Sequence, residues 1–338
     1  MKILYAIQGT GNGHLSRARD VIPALLKHNI DLDILISGHQ ADVDLPYKVK
    51  YNLQGLFFVF GKQGGIDFKA TFKNTKIFNF FKEIKQLPIQ DYDLIINDFE
   101  PVSAWGAKFK KVPCVSFSHQ AAVLSKKAPK PKVSINDIMG RLILNNYAPT
   151  QKQYGLHFKS YDPGIFTPII RNEIRKAIPK VKNHYTVYLP AYNDDTLLSV
   201  LSKIDNAQWQ VFSKHNKKEI TIGNVHIQPI NNEKFIESLL NCTGLFCGGG
   251  FEAPAEALFL KKKLMVIPMK GQYEQQCNAA ALKDLGIPVI PTLHLKYLKQ
   301  IQEWVNNQDQ IEVDFPDNTD LIVNQILKEF NTKQEHYI

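Results

Sequence analysis

Cysteine is scarce in this sequence. Its 338 residues hold four, Cys114, Cys242, Cys247 and Cys277, with no Cys-x-x-Cys pair and no zinc-type spacing. That argues against a disulfide scaffold and fits a reducing compartment. Long apolar runs are missing too, and nothing approaches the roughly 18 residues needed to span a bilayer. Before the first glycines the chain offers only Lys2 and the short run Ile3–Ile7, too little for a signal peptide. The expected location is therefore the cytoplasm. What remains, 44% hydrophobic and 22% charged, is the composition of a soluble globular protein. At roughly 100–200 residues per domain the length predicts two domains.

The formal charge is +9, and it is unevenly placed. Residues 1–168 carry 22 basic and 13 acidic side chains, whereas residues 169–338 carry 19 of each. The densest basic stretch, Lys108–Arg141, has eight basic residues and one acid, Asp137. A field confined to one half points to an anionic partner for that half. Nucleic acid is a poor candidate, because the stretch has no recognition motif and few aromatics to stack on bases. A second mixture, Lys62, Lys69, Lys73, Lys76, Lys82 and Lys85 among Phe57, Phe58, Phe60, Phe68, Phe72, Phe78, Phe80 and Phe81, has the make-up of a surface that meets anionic lipid. It equally fits core phenylalanines with solvated lysines behind them.

Short apolar runs alternate with helical patterns along the first half. Lys2–Ile7, Asp33–Ser37, Asp93–Asn97 and Val112–Phe117 read as strands, with helices near Ala18–Leu26, Phe78–Leu87 and Pro101–Phe109. The pattern fades from Tyr147 to Pro190, and the linker is expected near Thr167–Asn172. It then restarts with strands at His184–Leu189, Trp209–Phe212, Val225–Gln228, Leu245–Cys247 and Leu264–Ile267, and with helices at Thr196–Lys203, Asn232–Leu240 and Tyr273–Leu285. Two such runs predict an α/β protein of two doubly wound, Rossmann-like domains, 1–168 and 169–338. An amphipathic helix near Leu321–Phe330 closes the chain, and its pattern alone does not select the domain on which it packs.

Two glycine loops lie between a strand and a helix. In the first, Gly9-Thr-Gly11-Asn12-Gly13-His14, glycine allows a sharp turn and close approach of a ligand to free helix N–H groups. His14 stands where a dinucleotide fingerprint has its third glycine, and no Gly-Lys-Ser/Thr follows, which sets aside two common phosphate loops. A histidine at this sheet edge can serve as a general base near neutral pH, and Arg17 lies one turn on, within reach of a phosphate. Asp98 and Glu100 end the next strand but one, and either carboxylate can orient His14. His119 and Gln120 end a further strand. The second loop, Cys247-Gly-Gly249-Gly250-Phe-Glu-Ala-Pro-Ala-Glu256-Ala-Leu258, is followed by Glu274, Gln275 and Asn278, acid and amide groups suited to sugar hydroxyls.

Gly-Gly-x-x-x-x-x-Glu followed by acid/amide-Gln-x-x-Asn-Ala resembles the nucleotide-sugar site of GT-B glycosyltransferases. The similarity is greatest to the MurG-type N-acetylglucosaminyltransferases and the UDP-glycosyltransferases. The first loop is similar to their Gly-x-Gly-Gly-His loop, Val-Pro-Cys-Val-Ser-Phe-Ser-His-Gln resembles a His-Glu-Gln segment, and Asn97–Ala107 resembles their Asp…Trp segment. The resemblance implies an inverting, metal-independent transfer of sugar from a nucleoside-diphosphate sugar, expected to be UDP-linked, to an acceptor hydroxyl. It implies His14 as base with Asp98 or Glu100 behind it, and Gly249 and Gly250 at the diphosphate. Glu256 would take the ribose, and Glu274, Gln275 and Asn278 the sugar. Gly11, Asn12, Gly13, Arg17, His119 and Gln120 would face the acceptor, expected to be lipid-linked, a glycan or a small molecule, with the protein peripheral on the inner face of the membrane. No cofactor beyond the donor is implied. Two departures stand out: Ala253 occupies the usual Ser/Thr position near the phosphates, and the acid is missing from His119-Gln120. A nucleotide-sugar 2-epimerase of the same fold and a non-catalytic nucleotide-sugar or lipid-binding module are the alternatives.

Overall fold

The computed structural model describes residues 1–38, 45–56, 77–131, 135–180 and 182–335. Two sheets carry the architecture. The first comprises β1 (Lys2–Gln8), β2 (Asp31–Ser37), β3 (Tyr51–Leu53), β4 (Leu94–Asp98), β5 (Cys114–Ser118), β6 (Lys152–Leu156) and β7 (Ile165–Phe166). Their spatial order is β3-β2-β1-β4-β5-β6-β7, and every pairing is parallel. The second comprises β8 (Tyr185–Tyr188), β9 (Trp209–Ser213), β10 (Ile220–Ile222), β11 (Val225–Pro229), β12 (Gly244–Gly248) and β13 (Lys263–Ile267), ordered β10-β11-β9-β8-β12-β13. Only β10 is antiparallel, as the hairpin partner of β11.

Central strands buried on both faces need apolar side chains at every position. Ile3–Ile7 and Leu94–Ile96 meet that requirement, with all eight residues fully buried. In each sheet the order reverses beside the first strand, so β1 and β4 flank one crevice at their carboxyl ends and β8 and β12 the other. These are the two points where the glycine loops emerge.

The expected strands are all present, with ends shifted by a residue or two. β3, β6, β7, β10 and the helix Ile135–Tyr147 are additions to the sequence reading. Lys152–Leu156 begins with Lys and Gln, so its apolar signal is too short to stand out, yet Tyr154, Gly155 and Leu156 are buried beside β5. The closing helix, Thr319–Glu335, packs on the helix Asn12–Leu26 of the first half. Lys27 pairs with Asp320 at 2.5 Å and Lys152 with Glu329 across that junction. The largest apolar core runs through both halves, from Ile3 and Leu25 to Leu264 and Ile326.

Of the mixed lysine–phenylalanine segment, residues 57–76 lie outside the described residues. The remainder forms the helix Ile77–Gln86, on which Phe78 is 91% and Phe81 56% exposed while Phe80 is buried.

Candidate active site

The first glycine loop turns from β1 into the helix Asn12–Leu26. Gly11, at the helix N-cap, has φ +90°, a left-handed value that favours glycine. His14 stands in the first turn and is 12% exposed at its side chain. Its Nδ1 lies 2.8 Å from Oδ1 of Asp98, the fully buried last residue of β4. Arg17, one turn further, forks onto the same carboxylate: Nη2 donates to Oδ1 at 2.7 Å and to Oδ2 at 2.8 Å, and Nε to Oδ2 at 3.1 Å. Burial works to raise the Asp98 carboxyl, but Arg17 and His14 outweigh it and hold it below the usual range. Asp98 is thus a carboxylate that accepts the Nδ1 proton of His14, which leaves Nε2 with a free lone pair.

Glu100 does something else. It is the N-cap of the helix Pro101–Lys110, its two oxygens accepting from Val102 N and Ser103 N at 2.7 Å each. Of the two acids expected behind His14, only Asp98 reaches it. Phe99 between them adopts φ +58°, and that turn sends the two carboxylates to different partners.

The second glycine loop runs from β12 into the helix Glu252–Phe259. A Cβ on Gly249 would lie 2.8 Å from the Gln275 carbonyl, so only glycine fits there. Gln275 and Asn278 brace this loop. The Gln275 side-chain oxygen accepts from Gly249 N at 3.1 Å and Met269 N at 2.9 Å, and Asn278 Nδ2 donates to the Gly249 carbonyl at 3.0 Å. A cavity of about 1000 Å³ opens beside them, lined by Tyr188, Gly248, Gly250, Ala253, Lys270 and Lys283 among others. Glu256 lies elsewhere: it is buried, and both its oxygens are held by Arg171 of the interdomain segment, at 2.5 and 2.8 Å. The expected ribose ligand is therefore an ion-pair partner here, because its helix turns that face toward the segment between the sheets.

Beside the two glycine loops, further side-chain bridges join the halves. Arg17 Nη1 donates to Glu252 Oε1 at 2.5 Å, Gln120 Nε2 to Glu274 Oε2 at 3.1 Å, and His119 Nε2 lies 2.7 Å from Asn278 Oδ1. His119 also places Nδ1 2.7 Å from the Leu156 carbonyl and stacks on Phe251 at 3.8 Å between ring centres. Arg17, His119 and Gln120, expected to face an acceptor or phosphate, are thus engaged across the junction, and so are Glu274 and Asn278. Gly13 lies directly against Glu252.

Glu252 and Arg171 escaped the sequence reading. Glu252 and Glu256 are four apart in one short helix, so they share a face of it, and that spacing was the available signal. Arg171 sits in the weakly patterned linker, where no periodicity marks it.

Two Rossmann-like sheets, a glycine loop at the switch point of each, and a histidine–carboxylate pair at the junction define a GT-B glycosyltransferase architecture. The chain belongs to glycosyl transferase family 1, whose model matches residues 1–307. An uncharacterized glycosyltransferase of Methanosarcina mazei is 22% identical over 92% of this chain and 93% of its own. Among solved structures, Acinetobacter baumannii MurG superposes with a TM-score of 0.54 at 13% identity, covering 99% of each chain. Phytolacca americana UGT2, solved with UDP-2-fluoro-glucose and pterostilbene, superposes with a TM-score of 0.57 at 13% identity over 96% of this chain and 93% of its own.

Proposed function

We propose that this glycosyltransferase moves a sugar from a nucleoside-diphosphate sugar, UDP-linked in the first instance, to an acceptor hydroxyl with inversion. The observation that carries the reading is the His14–Asp98 pair, 2.8 Å apart and partly open to the junction between the halves. His14 Nε2 takes the acceptor proton, and the hydroxyl oxygen attacks the anomeric carbon. The bond to the diphosphate oxygen breaks, and its electron pair leaves with the nucleoside diphosphate. The donor occupies the cavity beside Gly248–Gly250. Backbone N–H groups of the glycine loop, with Lys270 and Lys283, offset the charge that develops there. In this reading the step needs no bound metal and no cofactor besides the donor.

The domain assignment follows: residues 1–168 hold the acceptor and residues 169–338 the donor. A lipid-linked acceptor at an anionic membrane surface is supported by exposed Phe78 and Phe81 beside Lys82 and Lys85, on a helix that packs next to Pro101–Lys110 with its exposed Phe109. Among the described residues no helix is long and apolar enough to cross a membrane.

The test is a thermal-shift screen with UDP, dTDP and GDP, followed by turnover of the matching sugar donor by wild type and His14→Ala. Ligand at about 100 times its Kd adds roughly 2.7 kcal/mol, a shift of a few degrees. His14→Ala should keep that shift and lose about 10²–10⁴-fold in kcat. No shift with any nucleotide refutes the donor site; an undiminished kcat removes His14 as base.

A further inference from the structure

Arg17 is placed to do more than neutralise Asp98. Its side chain is almost wholly buried, and its guanidinium spans two carboxylates from opposite halves, Asp98 at the end of β4 and Glu252 at the start of the helix after the second glycine loop. The same Nη2 that holds Asp98 lies 3.1 Å from His14 Nδ1. Arg17 therefore competes with Asp98 for the nitrogen that sets the tautomer of His14. Where its plane settles depends on the pull from Glu252.

Gly13 gives a second, independent sign that this contact is built in. A Cβ there would fall 2.5 Å from Glu252 Oε2. Gly13 is helical and not left-handed, so its backbone would accept alanine, and the missing side chain serves the approach of Glu252. Glu252 is 30% exposed and lies at the helix end that faces the donor cavity loop.

We propose that Arg17 is a positioning residue that sets His14 from the donor side, by dividing its guanidinium between Asp98 and Glu252. The inference rests on His14 acting as base. With Glu252 in place, Arg17 is drawn across the junction and Asp98 keeps the Nδ1 proton of His14. Without it, Nη1 loses its anchor and the guanidinium is free to turn Nη2 further onto that nitrogen. Glu252 and a bound diphosphate are both anionic beside one helix N-terminus, so the acid costs donor affinity while it serves turnover. The other charged or titratable groups around this cluster include Tyr5 on β1, His119 across the junction and, behind Glu252, Glu256 and Arg171.

The experiment uses the full chain and whichever of UDP, dTDP or GDP gives the largest thermal shift. Glu252→Gln should lower kcat about tenfold or more, the loss of one charge-assisted contact to a poised group. Its nucleotide Kd should be unchanged or smaller. The acid limb of kcat/KM should move to lower pH, because removing a negative charge disfavours the imidazolium. A purely structural contact would weaken binding and turnover together. Gly13→Ala should lower kcat in the wild-type background and have no further effect beside Glu252→Ala, where the obstructed carboxylate is gone. Wild-type kcat and pH profile in Glu252→Gln, or additive losses in the double variant, would overturn the inference. His14→Ala separates the levels. If it loses turnover while Glu252→Gln does not, the base stands and the Arg17 inference falls. If His14→Ala keeps full turnover, both fall.

Discussion

Asp98→Asn is the sharpest perturbation of the candidate site, and the geometry says what should dominate its effect. Two groups meet His14 Nδ1: the Asp98 carboxylate at 2.8 Å, which accepts, and Arg17 Nη2 at 3.1 Å, which donates. Asp98 therefore decides which ring nitrogen carries the proton. Its main work is to hold the Nδ1–H tautomer against Arg17, which would otherwise donate to Nδ1 and put the proton on Nε2. Asparagine preserves the shape and loses that preference, since Arg17 and the amide both present donors to Nδ1. The wrong tautomer removes the general-base contribution, about 10²–10⁴-fold in kcat, or roughly 2.7–5.5 kcal/mol at 1.36 kcal/mol per tenfold. The assay is release of nucleoside diphosphate at saturating donor and acceptor, with the nucleotide-induced thermal shift as control for an intact donor site. A kcat within twofold of wild type, with the shift retained, would refute the tautomer argument.

Other expectations follow from the same geometry. Glu256→Ala strips a largely enclosed Arg171 of its bidentate partner and leaves it, among the described residues, Glu173 at 3.1 Å, so urea titration should show a loss of about 3–5 kcal/mol. Unchanged stability with weakened nucleotide binding would instead return Glu256 to the ribose. His157 is buried, accepts from Phe158 N at Nδ1, and is held neutral by burial, with His119 and Lys130 adding to the effect. As pH falls below the unfolded value near 6.5, the unfolded chain takes up a proton that the folded chain refuses. Stability present above that pH is then lost by about 1.4 kcal/mol per pH unit for this group. His157→Asn, which keeps an acceptor for Phe158 N, should therefore show a shallower decline between pH 6.5 and 5.5; an identical slope counts against the assignment. In flotation with anionic vesicles, Phe78→Ser/Phe81→Ser should reduce binding at both low and high salt, whereas wild-type binding should weaken with salt alone. Equal flotation of the two proteins would move the membrane surface elsewhere.

The sequence by itself determined the architecture. Apolar runs such as Ile3–Ile7 and Leu94–Ile96 are long enough to need burial on both faces, and their alternation with helices leaves a doubly wound sheet as the solution. The glycine loops were legible for the same reason: backbone turns at strand ends leave a local mark, as at Gly11 and Gly249. His14 was legible as a polar group placed by such a turn. Elements whose burial comes from neighbours left no such mark, among them β6 with its leading Lys152 and Gln153. The partners of each site residue were decided only by the tertiary structure. Asp98 and Glu100 are two residues apart and chemically alike, and the left-handed turn at Phe99 sends one to His14 and the other to a helix cap. Glu256 goes to Arg171, 85 positions away, and Arg17 to Glu252, 235 positions away. Such pairings depend on how the two sheets are set against each other. That relation is carried by no periodicity within either half, and it decides which charges meet at the junction.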